Sequence, residues 1–212
     1  MFMANLRVGS ETNPIRLAVF ISGSGTGMLA LEQYAQENKA CFEIRVVVSD
    51  KQSTGLAKAE STGLATELCL VSLDESKETR RREHEIRIQK ILDKYNVEAI
   101  ILSGYMRLLS AEFVSDWEGK VLNIHPSLLP RHPGAHAHRD VISSGDKQSG
   151  CTVHFVDAGM DTGQIIAQAT VPVFEDDTEE SLAQRVKVEE HLLYPKIIQD
   201  FCSSDRIRLT SS

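Results

Sequence analysis

Four stretches of the chain are almost unbroken in β-branched and aliphatic residues: RLAVFI (Arg16 to Ile21), FEIRVVVS (Phe42 to Ser49), VEAIILS (Val97 to Ser103) and KVLNI (Lys120 to Ile124). A strand with one wet face alternates apolar and polar residues, whereas a run apolar at nearly every position suits a parallel strand covered on both faces. TELCLV (Thr66 to Val71) is a weaker fifth candidate. Between these runs lie helical patterns at Met28 to Asn38, at Gly55 to Thr62 and in the charged segment from Lys77 to Tyr95. In the last, Ile88, Ile91, Leu92 and Tyr95 recur on one face, and Glu83 precedes Arg87 by one helical turn. Strand and helix alternate, which predicts an α/β fold with a doubly wound, mostly parallel sheet. Later, CTVHFV and QIIAQATVPV are joined by DAGMDTG, too short for a helix, so a late antiparallel strand pair is expected. Asp177 with Glu180 three residues on marks the start of a closing helix that runs to about Cys202. The predicted organisation is a single domain over 15–203, preceded by a disordered arm, 1–14, and followed by a short tail, 204–212.

The composition, 42% apolar and 25% charged over 212 residues, is that of an ordinary globular domain. No stretch approaches the roughly 20 apolar residues that span a membrane, and MFMANLRVGSETNP lacks the apolar core of a secretory signal. Cys41, Cys69, Cys151 and Cys202 have no metal or redox spacing, and they fit buried thiols in a reducing cytoplasm. The net charge of -7 argues against a nucleic-acid partner, so any anionic ligand has to be held by local groups.

In open α/β sheets ligands bind beyond the carboxyl ends of the strands, and four unusual segments fall there. ISGSGTG (Ile21 to Gly27) follows the first strand and opens a helix, where free N–H groups favour a phosphate. Its glycines at 23, 25 and 27 fit neither a dinucleotide fingerprint nor a nucleotide P-loop, which leaves a single phosphate group. SGYMRLLS (Ser103 to Ser110) follows the VEAII strand. In LNIHPSLLP (Leu122 to Pro130), Asn123 and His125 share one face of a strand end that Pro126 stops. VHFVDAGMDTGQII carries Asp157 and Asp161 in a glycine-punctuated turn. The histidines of RHPGAHAH have no matching carboxylate or cysteine, so they read as a mobile loop over the site and not as metal ligands.

Together ISGSGTG, SGYMRLLS, NIHPSLLP with PGAHAH, and GCTVHFVDAGMDTGQII resemble the folate-dependent formyltransferases, and the likeness spans about Arg16 to Phe201. The resemblance implies formyl transfer from 10-formyltetrahydrofolate, without a metal, to the amine of glycinamide ribonucleotide in purine synthesis. It implies catalytic roles for Asn123, His125 and Asp161. It assigns folate binding to Arg81, to Met106, Arg107, Leu108 and Leu109, to Asn123, and to Asp157, Ala158, Gly159, Met160 and Asp161. Gly25, Thr26 and Gly27 match the part that holds the substrate phosphate, and Lys187, Val188, Glu189 and Glu190 the part near ribose and glycinamide. The family usually has Gly-Ser-Asn where this chain has Gly25-Thr26-Gly27. Gly27 lacks the side-chain amide that would contact phosphate, which leaves either weaker affinity or another side chain in its place. Deformylation of the same folate, formylation of another amine, and folate or nucleotide binding without catalysis are the alternative readings. Homodimerisation is left open.

Overall fold

The computed structural model describes residues 6–72 and 76–203. The apolar runs form β1 (Ile15–Ile21), β2 (Phe42–Ser49), β4 (Ala99–Leu102) and β5 (Val121–His125), with the weak candidate reduced to β3 (Thr66–Leu68). They join β6 (Gln148–Phe155) and β7 (Ile165–Pro172) in a seven-stranded sheet of order β3-β2-β1-β4-β5-β6-β7. The first five strands pair in parallel, and β6 runs antiparallel to both β5 and β7.

Alternate residues of the central strands feed two separate cores. Leu17, Val19, Ile21, Ile101 and Leu122 pack on one face with Met28 and Leu31 of α1 (Thr26–Glu37) and Leu182, Val186 and Ile198 of α6 (Glu179–Ser203). Ala18, Phe20, Val46, Val48 and Ile100 pack on the other with Ile88 and Leu92 of α3 (Lys77–Lys94) and Phe113 of α4 (Ala111–Asp116). This is why the strands read as continuous apolar runs: neither face meets water. Leu56 and Ala59 of α2 (Thr54–Ser61) and Val141 of α5 (Ala137–Ser144) join the first core.

Three expectations change. Residues 6–14 are not a loose arm: Leu6 is buried, Arg7 pairs with Glu98 at 2.6 Å, and the Gly9 N–H donates to the Cys202 carbonyl at 2.7 Å. Residues 1–5 and the tail 204–212 lie outside the described residues. The cap of α6 is Thr178 and not Asp177; its hydroxyl accepts from the Ser181 N–H at 3.2 Å, while Asp177 takes Arg185 at 2.7 Å. Arg87 bonds the Leu70 carbonyl at 2.7 Å, not Glu83. All four cysteines are free thiols, and no helix among the described residues is long and apolar enough to cross a membrane.

One buried tie joins the last helix to the strand ends. The Tyr194 hydroxyl of α6 lies 3.0 Å from the carbonyls of both Leu102 and Leu122. It can donate to only one at a time, yet it is the polar partner packed against both. Removing it strips a buried hydrogen bond, so Tyr194→Phe is expected to lower stability by about 1–3 kcal/mol. Urea denaturation checks this, and an unchanged midpoint contradicts it.

Candidate active site

A cleft of about 570 Å³ opens at the ends of β1, β4 and β5. At one end lies the glycine loop. Gly25 precedes α1 in the left-handed region at φ 66°, and a Cβ there would come within 2.8 Å of the Gly55 backbone, so this position requires glycine. No side chain caps α1, and its first turn faces the cleft with Thr26 and Gly27 in the wall. Facing it from α6 are Lys187 and Glu190. Burial pushes the Glu190 carboxyl up to about 7, against the opposing pull of Lys187.

From Ser103, beside the glycine loop, towards the other end of the cleft, the Ser103–Ser110 segment is held from behind. The Met106 N–H donates to Ser22 Oγ at 2.9 Å, and Arg107 Nε donates to Asp50 Oδ2 at 2.7 Å. The Tyr105 hydroxyl meets His84 Nε2 at 2.9 Å, and Glu85 accepts from both the N–H and hydroxyl of Ser110 at 2.6 Å. Burial, reinforced by Arg107, lowers the His84 imidazole to about 4, so this network holds a neutral ring. The segment thus carries exposed side chains on a fixed backbone: Met106 and Leu108 are 69% and 52% exposed, and Met160 across the cleft is 50% exposed. Three large apolar groups held in solvent around one opening mark a place for an apolar ligand surface.

Between the two ends stand Asn123 and His125, two residues apart at the end of β5 and so on one face. Asp161 reaches them from the β6–β7 connection, in a left-handed conformation (φ 55°) that Asp tolerates better than most residues. Its Oδ2 lies 3.4 Å from His125 Nδ1 and accepts the Gly134 N–H at 2.8 Å. His125 Nε2 lies 2.9 Å from the His132 carbonyl. Both ring nitrogens therefore face protein oxygens.

His154 completes the group, and the sequence analysis did not single it out. Antiparallel register places it directly across from Asn123, and its Nε2 meets the Asn123 amide nitrogen at 3.1 Å. Its Nδ1 faces the Phe155 carbonyl at 2.8 Å, which can only accept, so Nδ1 carries the proton and Nε2 accepts from Asn123. Burial lowers the basicity of this ring and keeps it neutral. For that reason its 3.8 Å approach to Asp161 is not an ion pair. The outcome is a carboxamide whose nitrogen end is fixed. The signal available in the sequence was the strand CTVHFV beside LNIH, but only the register connects the two.

The loop after β5, expected to be mobile, is tied down. Ser127 Oγ donates to the Arg131 carbonyl at 2.7 Å, Thr152 donates to the Ser127 carbonyl at 2.6 Å, and Gln168 donates to the Leu129 carbonyl at 2.8 Å. His132 Nε2 pairs with Asp146 Oδ2 at 2.7 Å. Among the described residues no three His, Cys, Asp or Glu side chains are placed to hold a metal ion. Burial pushes the Cys151 thiol up to about 12, far from the range of a nucleophile.

Some of the expected site residues fall elsewhere. Arg81 lies in an adjoining cavity of about 390 Å³ that shares only the Tyr105–Leu109 wall with the main cleft. Ungapped spacing along a long helix could not settle which turn faces the opening. Val188 is 58% exposed, and neither it nor Glu189 lines the cleft, because Lys187 and Glu190 occupy the inward face of α6 one turn apart. Ala158 is also outside the lining, although its neighbours Asp157 and Gly159 are in it.

Residues 15–198 match the family described as Formyl transferase. Phosphoribosylglycinamide formyltransferase of Escherichia coli is 41% identical over 190 residues, covering 88% of this chain and 87% of that protein. The trifunctional purine biosynthetic protein adenosine-3 of Gallus gallus is 44% identical over 190 residues, and the chain spans only 18% of its length. The crystal structure of phosphoribosylglycinamide formyltransferase from Brucella melitensis superposes with a TM-score of 0.82 at 46% identity, covering 90% of this chain and 97% of that one. A match over nearly the whole sheet and its cleft leaves no ambiguity of descent: the chain belongs to the formyl transferase family.

Proposed function

We propose that the protein transfers a formyl group from 10-formyltetrahydrofolate to the amine of 5′-phosphoribosylglycinamide, giving formylglycinamide ribonucleotide and tetrahydrofolate in de novo purine synthesis. One observation supports this above the rest. The paired Asn123 and His125, with Asp161 behind them, line the same cleft as the uncapped start of α1 and the exposed apolar side chains of Met106, Leu108 and Met160. Such a site suits two substrates that meet end to end.

In this reading the folate occupies the side walled by Met106 to Leu109 and the turn from Asp157 to Asp161. The nucleotide lies towards Gly25, Thr26, Gly27, Lys187 and Glu190. The amine attacks the formyl carbon, and negative charge grows on the formyl oxygen. Asn123 offers it an N–H, and one preorganised donor of this kind is worth about 3–4 kcal/mol in the transition state. The proton leaving the amine has to reach the departing folate nitrogen. His125 relays it, directly or through water, which contributes about 10²- to 10⁴-fold. Asp161, with Oδ2 3.4 Å from His125 Nδ1, orients the ring. The chemistry requires neither a covalent intermediate nor a metal ion. Small-molecule substrates and a cytoplasmic setting complete the proposal.

The test is a spectrophotometric assay with 10-formyltetrahydrofolate, in the presence and absence of glycinamide ribonucleotide. Turnover is expected only with the amine. Equal rates without it identify a hydrolase, and no turnover in either identifies a binding protein.

Two further outcomes follow from the geometry. His154→Leu removes the acceptor that fixes the Asn123 amide, so turnover is expected to fall about tenfold or more while folate affinity holds. A fall in folate affinity with unchanged turnover contradicts that role. The second concerns pH. Glu190 has its folded value raised by burial from 4.5 to about 7, so its contribution to stability is complete below about pH 4.5 and is lost as pH rises through about 7. Glu190→Gln is expected to remove that downward slope of stability between pH 4.5 and 7. A slope equal to that of the parent protein in denaturation at several pH values contradicts it.

A further inference from the structure

Resting on the proposed function, we propose that the Ser103 hydroxyl supplies the phosphate contact that Gly27 cannot make, so that Ser103 is a phosphate-binding residue of the acceptor site. Gly27 is the second residue of α1, and its backbone is not in the left-handed region, so nothing in its conformation demands glycine. What the missing side chain leaves open is filled by one group. A Cβ built at position 27 would overlap Ser103 Oγ and touch Ser103 Cβ at 3.8 Å, with no other atom nearby within 4 Å.

Ser103 comes from a different element, the first residue after β4, and its N–H donates to the Phe20 carbonyl at 2.9 Å. That bond fixes the backbone from which the hydroxyl projects towards the first turn of α1. Both Gly27 and Ser103 line the cleft. The hydroxyl has no hydrogen-bond partner among the described residues, so it is available to a ligand. Lys58 Nζ bonds the Ser24 carbonyl at 3.0 Å and sets a positive charge behind the same loop. A hydroxyl beside uncapped helix N–H groups donates to an anionic oxygen, and hydrogen bonds to charged oxygens are the strong ones. The ligand class is a phosphomonoester.

The arrangement has a specific consequence. A side chain at 27 and the Ser103 hydroxyl in its present rotamer exclude each other. Glycine at 27 with serine at 103 is therefore one solution, and an amide at 27 with a residue lacking the hydroxyl at 103 is another. The two changes should behave as a coupled pair and not as independent ones.

Inorganic phosphate is the probe, with binding measured by calorimetry on the intact protein. Ser103→Ala is a small deletion on an accessible side chain and should leave the fold unchanged. It is expected to weaken phosphate binding about tenfold while tetrahydrofolate binding stays the same. Adding Gly27→Asn to Ser103→Ala is expected to restore phosphate binding. Either unchanged phosphate binding in Ser103→Ala or a double variant as weak as Ser103→Ala alone overturns the assignment. Failure of the proposed function is distinguishable: parent protein that binds phosphate through Ser103 but shows no amine-dependent turnover sinks the reaction and leaves this contact standing.

Discussion

The Asp161 carboxylate is the point on which the centre of the site depends. It lies in a left-handed turn between two antiparallel strands, and one of its oxygens serves both the Gly134 N–H and His125 Nδ1. A strand end, a turn and a loop therefore converge on one negative charge. Side-chain exposure of only 14% for Asp161 and 6% for His125 keeps water from screening that contact. Without the carboxylate, His125 would keep its bond to the His132 carbonyl but would lose the group that fixes its other nitrogen.

Around this centre the rest of the site is a matter of support. The neutral His154 holds the Asn123 amide, while Asp50, His84 and Glu85 brace the segment that walls the apolar end. These partners lie behind the lining and on other strands and helices. The sheet is thus more than a platform. Its register decides which polar groups meet, and the β5–β6 pairing in particular brings His154 to Asn123.

Much of this was legible in the sequence, and for identifiable reasons. Strands covered on both faces have to be continuously apolar, so β1, β2, β4 and β5 announced themselves within a residue or two. The face shared by Asn123 and His125 followed from strand periodicity alone. The helices α4 and α5 did not: six residues give α4 too few turns for a period to show, and α5 overlaps the histidine-rich segment that read as a loop. The arm at residues 6–14 looked loose since its anchors, Glu98 and Cys202, are remote in sequence. The positions of Arg81 and Val188 relative to the cleft were not legible for a related reason: on a helix the inward face depends on rotation, which spacing cannot supply when the flanking pattern is mostly charged. His154 was invisible until the register was known.

The central claim is that Asp161 acts through its charge on His125. Turnover of Asp161→Asn tests it most directly, because asparagine keeps an oxygen for the Gly134 N–H and changes little else. An unchanged denaturation midpoint and a loss of turnover of at least about 100-fold near neutral pH are expected. A variant that folds normally and turns over like the parent protein would contradict it.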